Sequence, residues 1–195
     1  SPERPAVGSE VLLPVLGYLG NDAVCDAWVE AQNIGDRPAK ALLLLWGDPG
    51  FCPPQCAGPL KVECSGLLAP GSAWNFLGDQ MPNAARSGLV ISANADRWGE
   101  DFFADALCET LFRQVVGDCD AYRRFRKAYS EQGVWSGFDF GAAPTQPMAV
   151  EVLRNCPGDV RPEVRVTSSY AALAVEYLGR WDPVYGGYAV FAPSL

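Results

Sequence analysis

Residues 25–46 read CDAWVEAQNIGDRPAKALLLLW. In the first part Cys25, Ala27, Val29 and Ala31 alternate with Asp26, Trp28, Glu30 and Gln32, the period-two pattern of a strand with one face turned inward. Asn33-Ile34-Gly35-Asp36-Arg37-Pro38 then carries turn chemistry, because Asn and Gly tolerate positive φ and Pro38 stops a helix. The returning run Ala41-Leu42-Leu43-Leu44-Leu45-Trp46 is apolar on both faces, so it predicts a strand covered on both sides. Gly47-Asp48-Pro49-Gly50 follows at once and leaves too little length for a helix. The stretch predicts a hairpin in the middle of a sandwich.

Working outward, Val11 to Leu19 is strongly apolar but interrupted by Pro14 and Gly17, which suits an edge or bulged strand. Val62 to Leu68 and Ala73 to Leu77 read as strands joined by Ala69-Pro70-Gly71-Ser72, where Pro and Gly occupy the two central positions of a type II turn. Ser87 to Ala93 is a sixth short strand, and regular spacing of this kind marks an all-β sandwich. From Glu100 to Val116 the period changes: Phe103, Leu107, Leu111 and Val115 recur every four residues, as on one face of a helix. Asp118 is placed to cap a second helix with Tyr122, Phe125 and Tyr129 on its inner face, and Gly133 is placed to stop it. After an aromatic connector, 134–147, strands resume at Met148 to Leu153, at Val164 to Tyr170 and in the aromatic segment ending at Phe191. The expected architecture is a mainly β, immunoglobulin-like β-sandwich with an inserted two-helix hairpin. It forms a single domain over 1–195, with an N-terminal arm (1–10), sandwich strands (11–98), the helical hairpin (99–131) and C-terminal strands (132–195).

Composition narrows function. About half of the 195 residues are apolar, enough to bury a core without a staple, and the mean hydropathy is neutral. No apolar run approaches the ~20 residues that cross a bilayer, so neither a membrane insertion nor a signal peptide is expected within the chain. A leader removed ahead of residue 1 fits the compartment inferred below. A net charge of −8 argues against a nucleic-acid partner, whose phosphates need a basic surface. The basic cluster Arg123-Arg124-Phe125-Arg126-Lys127 reads instead as the solvated, dipole-favoured side of a helix.

Seven cysteines (Cys25, Cys52, Cys56, Cys64, Cys108, Cys119 and Cys156) stand in a chain with no histidine. Mixed Cys/His zinc sites and His-ligated catalytic zinc are thereby excluded, and no C-x-x-C pair offers an all-cysteine zinc ribbon or a redox centre. No metal or other cofactor is expected. Disulfides in an oxidising compartment are the expected use, with buried reduced cysteines in a cytosolic protein as the competing account, and the odd count leaves one cysteine outside any intrachain scheme. A local bridge among Cys52, Cys56 and Cys64 would staple a Pro-rich loop, and Cys108 and Cys119 flank the turn between the two helices.

Without histidine there is no Ser-His-Asp or Cys-His pair, and no Asp or Glu pair stands in a recognisable acid-base arrangement, so no catalytic residue is assigned. Asn94-Ala95-Asp96-Arg97-Trp98-Gly99-Glu100-Asp101 is rich in oxygen ligands of the kind Ca²⁺ takes. It lacks EF-hand spacing, and as an acidic helix entry it needs no metal. Trp98, Trp135, Trp181 and Tyr185 are aromatics of a type that stacks on sugar rings, with core packing as the competing account.

The hairpin with Gln32-Asn33-Ile34-Gly35, followed by Leu68-Ala69-Pro70-Gly71-Ser72-Ala73-Trp74, resembles the immunoglobulin-like CARDB-type modules of prokaryotic surface proteins over roughly residues 10–95. There a strand ends in an Asn-x-Gly turn and a later pair of strands is joined through Pro-Gly. The resemblance implies a non-catalytic extracellular part used for adhesion, spacing or assembly; the helices and cysteines depart from the family pattern. The expected function is a secreted, disulfide-containing structural or self-associating protein of a cell surface or filament, with an extracellular carbohydrate-binding module as the alternative. The expected partners are other copies of the chain, then a glycan. Assembly is expected through the apolar edge strand, at Val11, Leu12, Leu13, Val15 and Leu16, with the arm docked on a neighbouring copy or folded back across its own sandwich.

Overall fold

The computed structural model describes residues 6–13, 20–21, 26–47, 58–77, 87–94, 105–136, 138–139 and 146–155. They build two antiparallel sheets. The first contains β1 (Ala6–Gly8), β3 (Gly20–Asn21), β4 (Asp26–Asn33), β7 (Ala73–Phe76) and β11 (Met148–Asn155). Its order is β1-β11-β4-β3, with β7 also on β4. The second has the order β2-β8-β5-β6, from Glu10–Leu13, Ser87–Asn94, Ala39–Trp46 and Lys61–Cys64. Between the sheets lies a sandwich-like core. Val29, Ala31, Phe76, Met148, Val150 and Val152 from the first meet Val11, Leu13, Ala41, Leu43, Leu45 and Val90 from the second.

A third layer covers the other face of the second sheet. It consists of α1 (Asp105–Phe112), a 3₁₀ turn (Arg113–Val115) and α2 (Cys119–Ser130), followed by a small hairpin, β9 (Val134–Trp135) with β10 (Phe138–Asp139). Leu12, Leu42, Leu44, Trp46, Leu89 and Ile91 point into it and meet Phe112, Val115, Tyr122, Phe125, Tyr129 and Trp135. Trp46 sits edge-on to Tyr122 at 5.1 Å, and Phe112 stacks on Trp135 at 5.6 Å. Asp118 caps α2 by accepting from the Ala121 amide at 2.9 Å, as the sequence predicts.

The expected hairpin from Cys25 to Trp46 does not form. β4 pairs with β11 and β7 in one sheet, β5 pairs with β8 and β6 in the other, and residues 34–38 cross between them. Burial explains the crossing. Every side chain of β5 is buried, whereas the outer face of the first sheet carries Glu30, Gln32 and Glu151. A β5 paired beside β4 would leave Leu42, Leu44 and Trp46 on that polar face, forfeiting roughly 2 kcal/mol for each side chain. In the second sheet the helices cover them.

The helix stop also differs from expectation. Gly133 is not the left-handed residue; Gln132 is, at φ 53°. Gly133 N donates to Ala128 O at 2.7 Å and Gln132 N to Tyr129 O at 3.3 Å, the paired bonds of a Schellman cap with Gln where Gly is usual.

Candidate functional site

The crossing loops converge at one end of the sandwich, around Asn33, which is fully buried. Its Nδ2 donates to Arg37 O (2.7 Å) and Leu68 O (2.9 Å), and its Oδ1 accepts from Gly35 N (2.9 Å). The Ala69–Ser72 turn closes with Ser72 N donating to Ala69 O, Gly71 takes the expected positive φ of 83°, and Gly71 N donates to Asn33 O at 2.7 Å. Buried Gln146 accepts from Asp36 N and Arg37 N through Oε1. Buried Lys40 donates from Nζ to Ser65 O at 3.0 Å, and Ser65 Oγ accepts from Ala41 N. This polar cluster fixes how two crossings leave the sandwich; it is a framework, with Trp74 and Leu67 exposed at its rim.

The sequence-assigned assembly residues are placed differently from one another. Val11, Leu12 and Leu13 are at most 1% exposed, divided between the two cores of their own chain, so the strand's need for cover on both faces is met internally. Val15 and Leu16 lie outside the described residues. The described part of the arm, 6–10, crosses its own molecule: Ala6–Gly8 pairs with β11, and the chain then steps at Ser9 to the other sheet as β2. Helix α2 holds that step, with Arg126 ion-paired to Glu10, Tyr129 OH donating to Ser9 O at 3.0 Å and Arg126 lying 5.4 Å over the Tyr129 ring. Tyr122, buried beside them, has its phenol pushed well above the ordinary value, mainly by burial; Arg126 lowers it and Glu10 raises it.

Sheet edges differ in how they are guarded, and natural sheets guard theirs with charge, brevity or cover. β1 has three residues; β2 is buried and tied to α2 through Glu10; β6 carries Lys61 and Glu63, paired at 2.6 Å. β7, Ala73-Trp74-Asn75-Phe76, has no charge, Pro or Gly, and among the described residues no strand pairs its outer edge. Ala73, Trp74 and Asn75 are exposed, and Leu77 and Leu67 stand 50% and 55% open beside them. The Trp74 ring lies over Gly66, where an added Cβ would come within 3.0 Å of it, so the ring is seated rather than loose. On the outer face of the same sheet Glu30 and Glu151 stand directly opposite each other, half-buried, with no cation paired to either among the described residues.

Of the cysteines, Cys64 and Cys119 are disulfide-bonded and no described cysteine is a free thiol. Cys64 is buried on the helix-facing side of β6, and Cys119 opens α2. Cys108 lies in α1, and Cys25, Cys52, Cys56 and Cys156 lie outside the described residues, as do residues 95–101 of the oxygen-rich run. Of the aromatics weighed between sugar stacking and core packing, Trp135 takes the core packing, buried against Phe112 and Phe125; Trp98, Trp181 and Tyr185 lie outside the described residues. No described helix is long and apolar enough to cross a membrane. Comparison with known protein families, with curated proteins and with solved structures finds no match.

Proposed function

We propose that the protein is a secreted, disulfide-containing, non-catalytic component of a cell surface or filament that associates with copies of itself, and that β7 is the edge it pairs through. The open β7 edge carries the reading. An uncharged edge strand offers a row of unpaired backbone donors and acceptors, and Leu67, Trp74 and Leu77 beside it add apolar area that a second copy would bury. The buried, self-paired β2 moves the contact away from the N-terminal arm. The Asn-x-Gly and Pro-Gly turns shared with the immunoglobulin-like CARDB-type modules support the same class of role, and both turns brace the rim next to β7.

The test is Asn75→Lys, which places a charge on the exposed face of the edge opposite Glu30 without touching the core. Light scattering should show the parent chain assembling and the variant monomeric. Two monomers at high concentration, or equal assembly, would remove the reading. Secretion has its own measurement: thiol titration of denatured, unreduced protein should find about one thiol per chain from the odd count. Five or more would place the chain in a reducing compartment.

A further inference from the structure

Between α2 and the β9–β10 hairpin lies a groove of about 500 Å³, within the ~300–1,000 Å³ that small-molecule sites occupy. Its α2 wall presents Arg124 and Lys127, one turn apart and both exposed. Their neighbours are paired, Arg123 with Asp120 and Arg126 with Glu10, but neither Arg124 nor Lys127 has an acidic partner among the described residues. In a chain with a net charge of −8, these two adjacent cations give the wall of the groove a local positive charge.

The rest of the lining says what kind. Trp135 forms a fixed apolar floor, held by Phe112 and Phe125 at 5.6 and 5.2 Å. Glu131 offers a hydroxyl acceptor. Ser136 Oγ lies 3.1 Å from Gln114 Oε1, which leaves the Gln114 amide nitrogen as a donor. Ser136 itself is held at φ 49°, a left-handed conformation uncommon outside Gly and one that sets the rim.

We propose that this groove binds the carboxylate-bearing unit of an acidic saccharide. The carboxylate sits between Arg124 and Lys127, ring hydroxyls donate to Glu131 and accept from Gln114, and the apolar ring face rests toward Trp135 and Val134. Glu131 selects against more highly charged phosphate, while a monoanion rich in hydroxyls satisfies both signs of charge. The site is independent of the β7 edge, which lies on the other sheet, so either proposal can fail without the other.

The experiment is calorimetric titration of the full chain with a glucuronate oligosaccharide, a neutral glucose oligosaccharide and inorganic phosphate. Only the first should bind. Arg124→Gln with Lys127→Gln should weaken binding at least roughly tenfold. Both side chains are exposed, and an unchanged thermal midpoint will show that the variant folds. Glu131→Gln should weaken the saccharide and admit phosphate. No binding of the acidic sugar, equal binding of the neutral one, phosphate binding as tightly, or a double variant that binds like the parent would each overturn the proposal.

Discussion

The side-chain amide of Asn33 donates to the Leu68 carbonyl at 2.9 Å, joining two loops 35 residues apart that each carry the chain from one sheet to the other. The same amide reaches Arg37 O, and Oδ1 holds Gly35 N, so one buried side chain closes three backbone groups. Asn33→Ala should therefore cost about 3 kcal/mol, near 1 kcal/mol per bond, with the carbonyls left unpaired. Asn33→Asp should cost more, because it turns a carboxylate toward two carbonyl oxygens. Urea unfolding with an unchanged slope checks both; a loss under 1 kcal/mol for Ala would show that water replaces the amide.

What the sequence discloses is the strands and their faces. The period of two in β4, the apolar β5, the Pro-Gly turn and the Asp118 cap are all local signals. Partnership is not local. Asn33-Ile34-Gly35 announces a turn, yet whether the chain folds back beside β4 or crosses to a second sheet depends on which layer can cover Leu42, Leu44 and Trp46, and that cover comes from the helices of residues 105–130. Sequence distance also hid the Glu10–Arg126 pair, separated by 116 positions. The exposed edge at β7 could have been suspected from the absence of charge in Ala73-Trp74-Asn75-Phe76, but which strand ends a sheet is fixed only by the pairing. The groove has no local sign: in sequence Arg124 and Lys127 belong to one solvated helix face, and only the pairing of Arg123 with Asp120 and Arg126 with Glu10 sets them apart.

Two turns should respond oppositely to the same physics. Gly71 stands at φ 83° with nothing within 4 Å of an added Cβ, so Gly71→Ala should destabilise by about 1 kcal/mol through backbone conformation alone. Gln132 occupies the equivalent left-handed position at the end of α2, and Gln132→Gly should stabilise by a similar amount. Thermal or urea unfolding of the two variants decides it; a stabilised Gly71→Ala would mean that the turn is not held as described.

Glu30 and Glu151 oppose each other in register across β4 and β11. Like charges directly opposite are unfavourable, and opposite charges contribute about 0.2–1 kcal/mol. Glu151→Lys should thus raise stability by up to about 1 kcal/mol at low salt, with the gain shrinking as salt screens the pair. A loss of stability on that substitution would show that the two carboxylates have an unrecognised partner.

Tyr122 supplies a pH dependence. Its phenol is held well above the ordinary value of about 10, first by burial, and Glu10 adds to this while Arg126 opposes it. Below pH ~10 the phenol is protonated whether the chain is folded or not, and the contribution to stability is present in full. Above that the unfolded chain releases the proton while the folded chain keeps it, so stability falls as pH rises toward the raised folded value. Tyr122→Phe removes the titrating group but keeps the ring against Trp46, so its stability should decline less steeply above pH ~10 than that of the parent. Urea midpoints measured across that range compare the slopes. Parallel curves for the two proteins would assign the alkaline loss to other groups.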